Sequence, residues 1–175
     1  MKNEREARHL RRWIRLLLLG FIVGLVLSGV TAFPLPWEVG LLAQWTGAQL
    51  GAPGLSGWIA RVHEGLVATD ARFPFLAYGT DWLAFAHLVI ATAFLGPLRD
   101  PVRNVWIIEW GIIACVAVIP LALIAGPIRG IPFGWRLIDA SFGFVGIVPL
   151  FCCWHLIRRL ERLQTEGAST PSPIT

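Results

Sequence analysis

The chain has 175 residues, 55% of them hydrophobic and 15% charged, with a mean hydropathy of +0.64 and a formal net charge of +4. Soluble domains carry about a quarter charged residues, and disordered chains combine low hydrophobicity with high net charge, so both classes are excluded. Three cysteines, Cys115, Cys152 and Cys153, make no disulfide framework. An integral membrane protein of one domain remains, and its basic excess sits beside apolar segments, where it sets orientation rather than binding nucleic acid.

The chain opens with MKNEREARHLRRWIR, six bases in fifteen residues, read as a basic cytoplasmic tail over 1–15. Four apolar segments follow, at about 16–33, 82–98, 105–128 and 140–157. Each is near the ~20 residues that cross the hydrocarbon as a helix. They lack the polar stripe of soluble bundle helices. The predicted fold is therefore all-α, a bundle of four transmembrane helices filling residues 16–160. The last segment, 161–175, ends in GASTPSPIT and reads as a disordered cytoplasmic tail.

Lys and Arg number eleven in the two termini and the 96–104 link, against Arg61, Arg72, Arg129 and Arg136 on the other side. The positive-inside rule then puts both termini in the cytoplasm. Trp13, Trp37, Trp82, Trp106, Trp135 and Trp154 fall near span ends, as an aromatic belt requires. A rival reading makes the basic tail, the apolar run and Val30-Thr31-Ala32 a cleaved signal peptide. The length of both tail and run favours a retained span.

The outer segment, 34–79, is rich in Gly and Pro. Pro36-Trp37-Glu38 is a good helix start, and Trp37, Leu41, Trp45 and Ala48 then share a face. Leu55, Trp58, Ile59, Val62 and Leu66 repeat at helical spacing over 55–69. Two short amphipathic helices on the outer face are expected.

Ionisable groups inside spans are functional candidates, since hydrocarbon penalises them. His87 lies on a face of span two with Thr80, Leu83, Ala84 and Ala91, pointing into the bundle. Glu109 needs a partner, and Arg99, Arg103, Arg158 or His155 can supply one; the pair of Glu109 with His155 is the intramembrane candidate. In span four, Ser141, Val145, Val148, Cys152, His155 and Arg159 form a seam expected to face inward. Cys152 and His155 are two soft ligands with no second pair to complete a metal site. Haem between His87 and His155 fails because their depths differ by about 15 Å, which leaves only His63 as a haem or metal partner for His87.

The densest polar set is at the outer rim: His63, Glu64, Asp81, Arg129, Arg136 and Asp139, with His87 beneath. Some of these have plain structural uses. Thr80 or Asp81 can cap span two, Asp139 can cap span four, and Arg136 can pair with Asp139 at i, i+3. Two arginines in one Gly/Pro turn still suit an anionic lipid headgroup, a quinone-like molecule or a partner carboxylate. No Ser/His/Asp arrangement, P-loop or dinucleotide fingerprint occurs, so a non-catalytic role is expected and no cofactor is predicted.

YGTDWLAFAHLVIA (78–91), GPLRDPVRNVW (96–106), RGIPFGWRLIDASFG (129–143) and SGVTAFPLPWE (28–38) resemble blocks of an uncharacterised bacterial four-span integral membrane protein family. The likeness runs over roughly residues 28 to 160 and implies the bacterial cytoplasmic (inner) membrane; it transfers no activity. The leading functional expectation is a partner subunit or a small ligand- or lipid-binding bundle. A redox protein using His63 and His87 is the first alternative. A small-solute transporter with helix breaks at Pro120 and Pro149 is the second.

Overall fold

A computed structural model describes residues 2–169, and every regular element in them is helical. The order is α1 (Lys2–Ala32), α2 (Leu35–Thr46), α3 (Gly54–Arg72), a 3-10 turn (Pro74–Ala77), α4 (Tyr78–Ala93), α5 (Leu95–Arg99), α6 (Val105–Ile128) and α7 (Phe133–Ser169). Four stretches are long and apolar enough to cross a membrane: Asn3–Ala32, Pro74–Arg99, Val105–Ile128 and Phe133–Glu166. The chain is a multi-pass α-helical membrane protein by that measure.

Helix α1 packs between α4 and α7, and α7 packs on α6. The largest cluster of buried side chains lies at the end that holds the first half of α1 and the second half of α7. Leu10, Ile14 and Leu18 of α1 meet Phe94, Ile107 and Ile108, and Leu150, Cys153, Ile157 and Leu160 of α7. Thus the basic N-terminal segment is helix, not tail, because Leu10, Ile14 and Leu18 recur every four residues and line one face. The same holds at the other terminus. Helix α7 continues beyond residue 160 to Ser169, with Leu160 buried and Leu163 packed on the core, while 170–175 lie outside the described residues.

Glycines set the close helix approaches. An ideal Cβ at Gly143 would lie 2.5 Å from the Cys115 carbonyl oxygen, and one at Gly146 would lie 2.7 Å from Cys115 Sγ. Gly111 accommodates Phe94 and Leu150 in the same way, and Gly29 of α1 accommodates Ala84, His87 and Leu88 of α4. Lipid tails are as apolar as Leu, so span association depends on such close packing rather than on hydrophobic burial.

The inward face of α7 is accordingly Gly143, Gly146, Leu150, Cys153, Ile157 and Leu160, at alternating spacings of three and four. The expected seam at 141, 145, 148, 152, 155 and 159 faces outward, with Val145 71% and Val148 64% exposed. The reason is that α7 is apolar all round in its spanning part. Small residues, not hydrophobicity, decide which face can approach α6.

Pro120 and Pro127 lie inside the continuous α6, and Pro149 inside the continuous α7. The helix breaks expected at Pro120 and Pro149 do not form; neighbouring helices make proline tolerable in such spans. Helices α2 and α3 pack on one another. Pro36 stands at the α2 start, and Gly47 at φ 60° ends it. Helix α2 buries no residue, so Trp37 and Trp45 are exposed, and Ala48 lies beyond the helix. Helix α3 buries Gly57, Ile59 and Ala60.

Candidate functional site

The link between α6 and α7 is short. Gly130 (φ 69°) follows the last turn of α6, with its N–H donating to the Pro127 carbonyl (3.1 Å) and the Ile131 N–H donating to the Gly126 carbonyl (2.9 Å). This is a Schellman end, which needs the left-handed residue that glycine supplies. Arg129 is the exposed C-cap of α6, whereas Arg136 belongs to the first turn of α7. The two arginines therefore do not share one turn, because α7 begins at Phe133, before Arg136 is reached.

Arg136 lies back along its helix. Its Cγ and Cδ cross Gly126 of α6, where a Cβ would collide, and its guanidinium carbon stands 5.2 Å from the Phe133 ring centroid. The Nε atom is buried with no acceptor. No ion pair joins Arg136 to Asp139 among the described residues. Helical side chains lean toward the N-terminus, which carries Arg136 away from residue 139. Asp139 sits in the second turn of α7 and does not cap it.

The other rim residues lie on two helices, α3 and α4. His87 is half-buried, and its Nδ1 lies 2.8 Å from the Leu83 carbonyl oxygen. A carbonyl only accepts, so Nδ1 is the donor in this contact. The Nε2 of His63 on α3 lies 3.0 Å from where a Cβ on Gly40 of α2 would be. Gly40 thus gives the imidazole room against α2. Asp81 stands in the first turn of α4, whose N-cap, Ala77, supplies no side-chain cap to the helix N–H groups. Thr80 does not cap α4 either; its hydroxyl donates to the Ala77 carbonyl at 2.6 Å. Among the described residues no hydrogen bond or ion pair joins any two of His63, Asp81, His87, Arg129, Arg136 and Asp139.

A second polar group lies at the core end. Glu109 Oε1 accepts from Arg158 Nη2 (2.9 Å) and from Trp154 Nε1 (3.0 Å). Arg158 Nη1 donates to Glu161 Oε2 (3.1 Å), and its guanidinium carbon is 5.6 Å from the Trp154 ring. Residues 154, 158 and 161 fall at i, i+4 and i+7, one face of α7 turned to α6. His155 is rotated about 100° from that face, so it does not partner Glu109. Its Nδ1 lies 3.1 Å from the Phe151 carbonyl oxygen, and its ring meets Phe151 and Trp154 edge-on. Arg159 pairs with Glu6 and ties α7 to α1.

No cluster of three or more His, Cys, Asp or Glu side chains suited to a metal occurs among the described residues. Among the described residues, shallow depressions lie away from the buried cluster. One, of about 380 Å³, is lined by α2 alone, from Leu35 to Trp45. Another, of about 290 Å³, lies between Phe33, just past α1, and Tyr78, Asp81, Trp82 and Phe85 of α4. Sequence reasoning placed Trp82 in an aromatic belt and missed this grouping. The spacing of 78, 82 and 85 around Asp81 was the signal available. The chain matches no protein-family model, no curated protein and no solved structure.

Proposed function

We propose that this chain is a non-catalytic, multi-pass protein of the bacterial cytoplasmic membrane, with both termini cytoplasmic, that binds an anionic lipid headgroup or a partner carboxylate at its outer rim. In this reading the four spans form a bundle closed at the cytoplasmic end, and α2 and α3 are amphipathic helices lying at the outer interface. The observation that supports it is Arg136. A guanidinium held against Gly126 and Phe133 by its stem, with no ion pair to Asp139, keeps its terminal Nη donors for an anion. Arg129, exposed at the end of α6, adds positive charge to the same link.

The test is native mass spectrometry of protein purified in mild detergent. Wild type is compared with Arg129→Ala, Arg136→Lys and His87→Ala. Arginine presents a planar fork of donors and lysine a point charge, so Arg136→Lys should lose the anionic adduct while inserting normally. Equal amounts of one bound species in all four proteins would mean that the arginines only shape the link.

A further inference from the structure

We propose that the depression formed by Phe33, Tyr78, Asp81, Trp82 and Phe85 is a binding site for an alkylammonium group. It goes beyond the anion reading and does not rest on either arginine. The site is about 290 Å³ and lies between Phe33, just past α1, and the first two turns of α4. Residues 78, 81, 82 and 85 fall at i, i+3, i+4 and i+7, so helix geometry alone puts them on one side of α4.

The rings are arranged in a perpendicular series. Tyr78 and Trp82 meet with centroids 5.9 Å apart at 81°, and Trp82 and Phe85 with centroids 6.1 Å apart at 88°. Such edge-to-face contacts hold neighbouring rings at right angles, and each ring face carries negative quadrupole potential. Asp81 sets a full negative charge in the same wall. Among the described residues its carboxylate has no hydrogen bond or ion pair, and it does not cap α4.

The chemistry of these five side chains selects the ligand. An anion is repelled by both carboxylate and ring faces. A neutral apolar group would cover the rings and leave the carboxylate unpaired, at a desolvation cost. A hard metal ion needs six or more oxygens, and one carboxylate supplies two. An alkylammonium ion matches every member, since its charge faces Asp81 and its methyl or methylene groups lie on the rings. The same group occurs on free quaternary amines and on choline lipid headgroups.

Two experiments separate these sources and test the site. In the first, wild type in a non-ionic detergent is titrated with tetramethylammonium at constant ionic strength, and saturation transfer to the N-methyl protons is read by NMR. Choline and its neutral isostere 3,3-dimethylbutan-1-ol are then compared. Both cations should bind, and the alcohol should bind more weakly. Asp81→Asn and Trp82→Leu should each weaken tetramethylammonium binding by roughly threefold to thirtyfold, while Trp82→Phe, which keeps a ring face, should lose less. Circular dichroism of each variant reports whether the helices are intact. In the second, protein in nanodiscs of mixed phosphatidylcholine and phosphatidylglycerol is analysed by native mass spectrometry. Preferential retention of phosphatidylcholine, lost in Asp81→Asn, identifies a headgroup site; tetramethylammonium binding without that retention identifies a site for a free cation. No binding by wild type, equal binding of the alcohol and choline, or unchanged binding in a folded Asp81→Asn overturns the proposal.

Discussion

Replacing Gly143 by alanine adds one methyl group to the seam between α6 and α7. An ideal Cβ there lies 2.5 Å from the Cys115 carbonyl oxygen and 3.4 Å from Ile119 Cγ1. The oxygen is part of the α6 backbone and has no rotamer to change. Helix α6 must recede by roughly 0.5–0.9 Å before the contact becomes tolerable. The gap opens beside Cys115 on Gly146 and extends toward Gly111 on Leu150, so close contacts on both sides are stretched. A gap of about 0.5–1 Å forfeits a quarter to a half of each dispersion contact. Overpacking of this kind costs about 1–3 kcal/mol, and the better helix propensity of alanine offsets at most about 1 kcal/mol. A net loss of about 1–2 kcal/mol is expected. Gly20 and Gly24 are internal controls, since a Cβ at either would meet nothing within 4 Å. Thermal unfolding in mild detergent, followed by circular dichroism and by recovery of the monodisperse size-exclusion peak, should show Gly143→Ala lowered by roughly 2–8 °C. Gly20→Ala and Gly24→Ala should match wild type or exceed it. A Gly143→Ala protein as stable as wild type, or equal damage at Gly20, would refute the close-packed seam.

Three further outcomes follow from the packing. Ile14→Ala and Leu18→Ala, both at 0% exposure, should each cost about 2–5 kcal/mol, whereas Leu16→Ala, at 60% exposure, should be nearly silent in the same melt. Glu109 and Arg158 are 42% and 39% exposed, so solvent screens their pairing and it adds little to stability. Glu109→Gln should therefore fold almost normally and Glu109→Leu should be neutral or slightly stabilising; loss of folded protein with Gln would show that the carboxylate is indispensable to the α6–α7 contact. For topology, single cysteines at Ala52 and Ser169, in a background lacking Cys115, Cys152 and Cys153, should label from opposite sides of the membrane. Labelling of both from one side would sink the four-span arrangement with cytoplasmic termini.

Sequence reading found four apolar segments but little of how they touch. The apolar run at 105–128 coincides with α6, and the two helices expected within 34–79 fall near α2 and α3. Those features are local: a run of apolar residues, a proline at a helix start, a glycine at its end. The candidate sites were less legible. Glu109 was known to need a partner, but the list of possible partners came from position along the chain. Only the side-by-side packing of α6 and α7 selects Arg158 and Trp154 and leaves His155 aside. The aromatic wall around Asp81 was likewise hidden, because Phe33 is 45 or more residues from its companions and joins them only through the packing of α1 against α4.

The amino-acid sequence by itself determined that the chain is helical and that four of its segments can cross a membrane. Backbone groups in hydrocarbon must bond within their own segment, so length and apolarity suffice for that conclusion. The tertiary structure alone decided which way each span faces. On a helix apolar all round, no polar stripe marks the inward side, and the expected seam of α7 was displaced by about one residue, or 100° of rotation. Gly143 and Gly146 opposite Cys115 set the true face, because association between spans is governed by how closely two backbones can approach, a property of the pair of helices that neither segment carries alone.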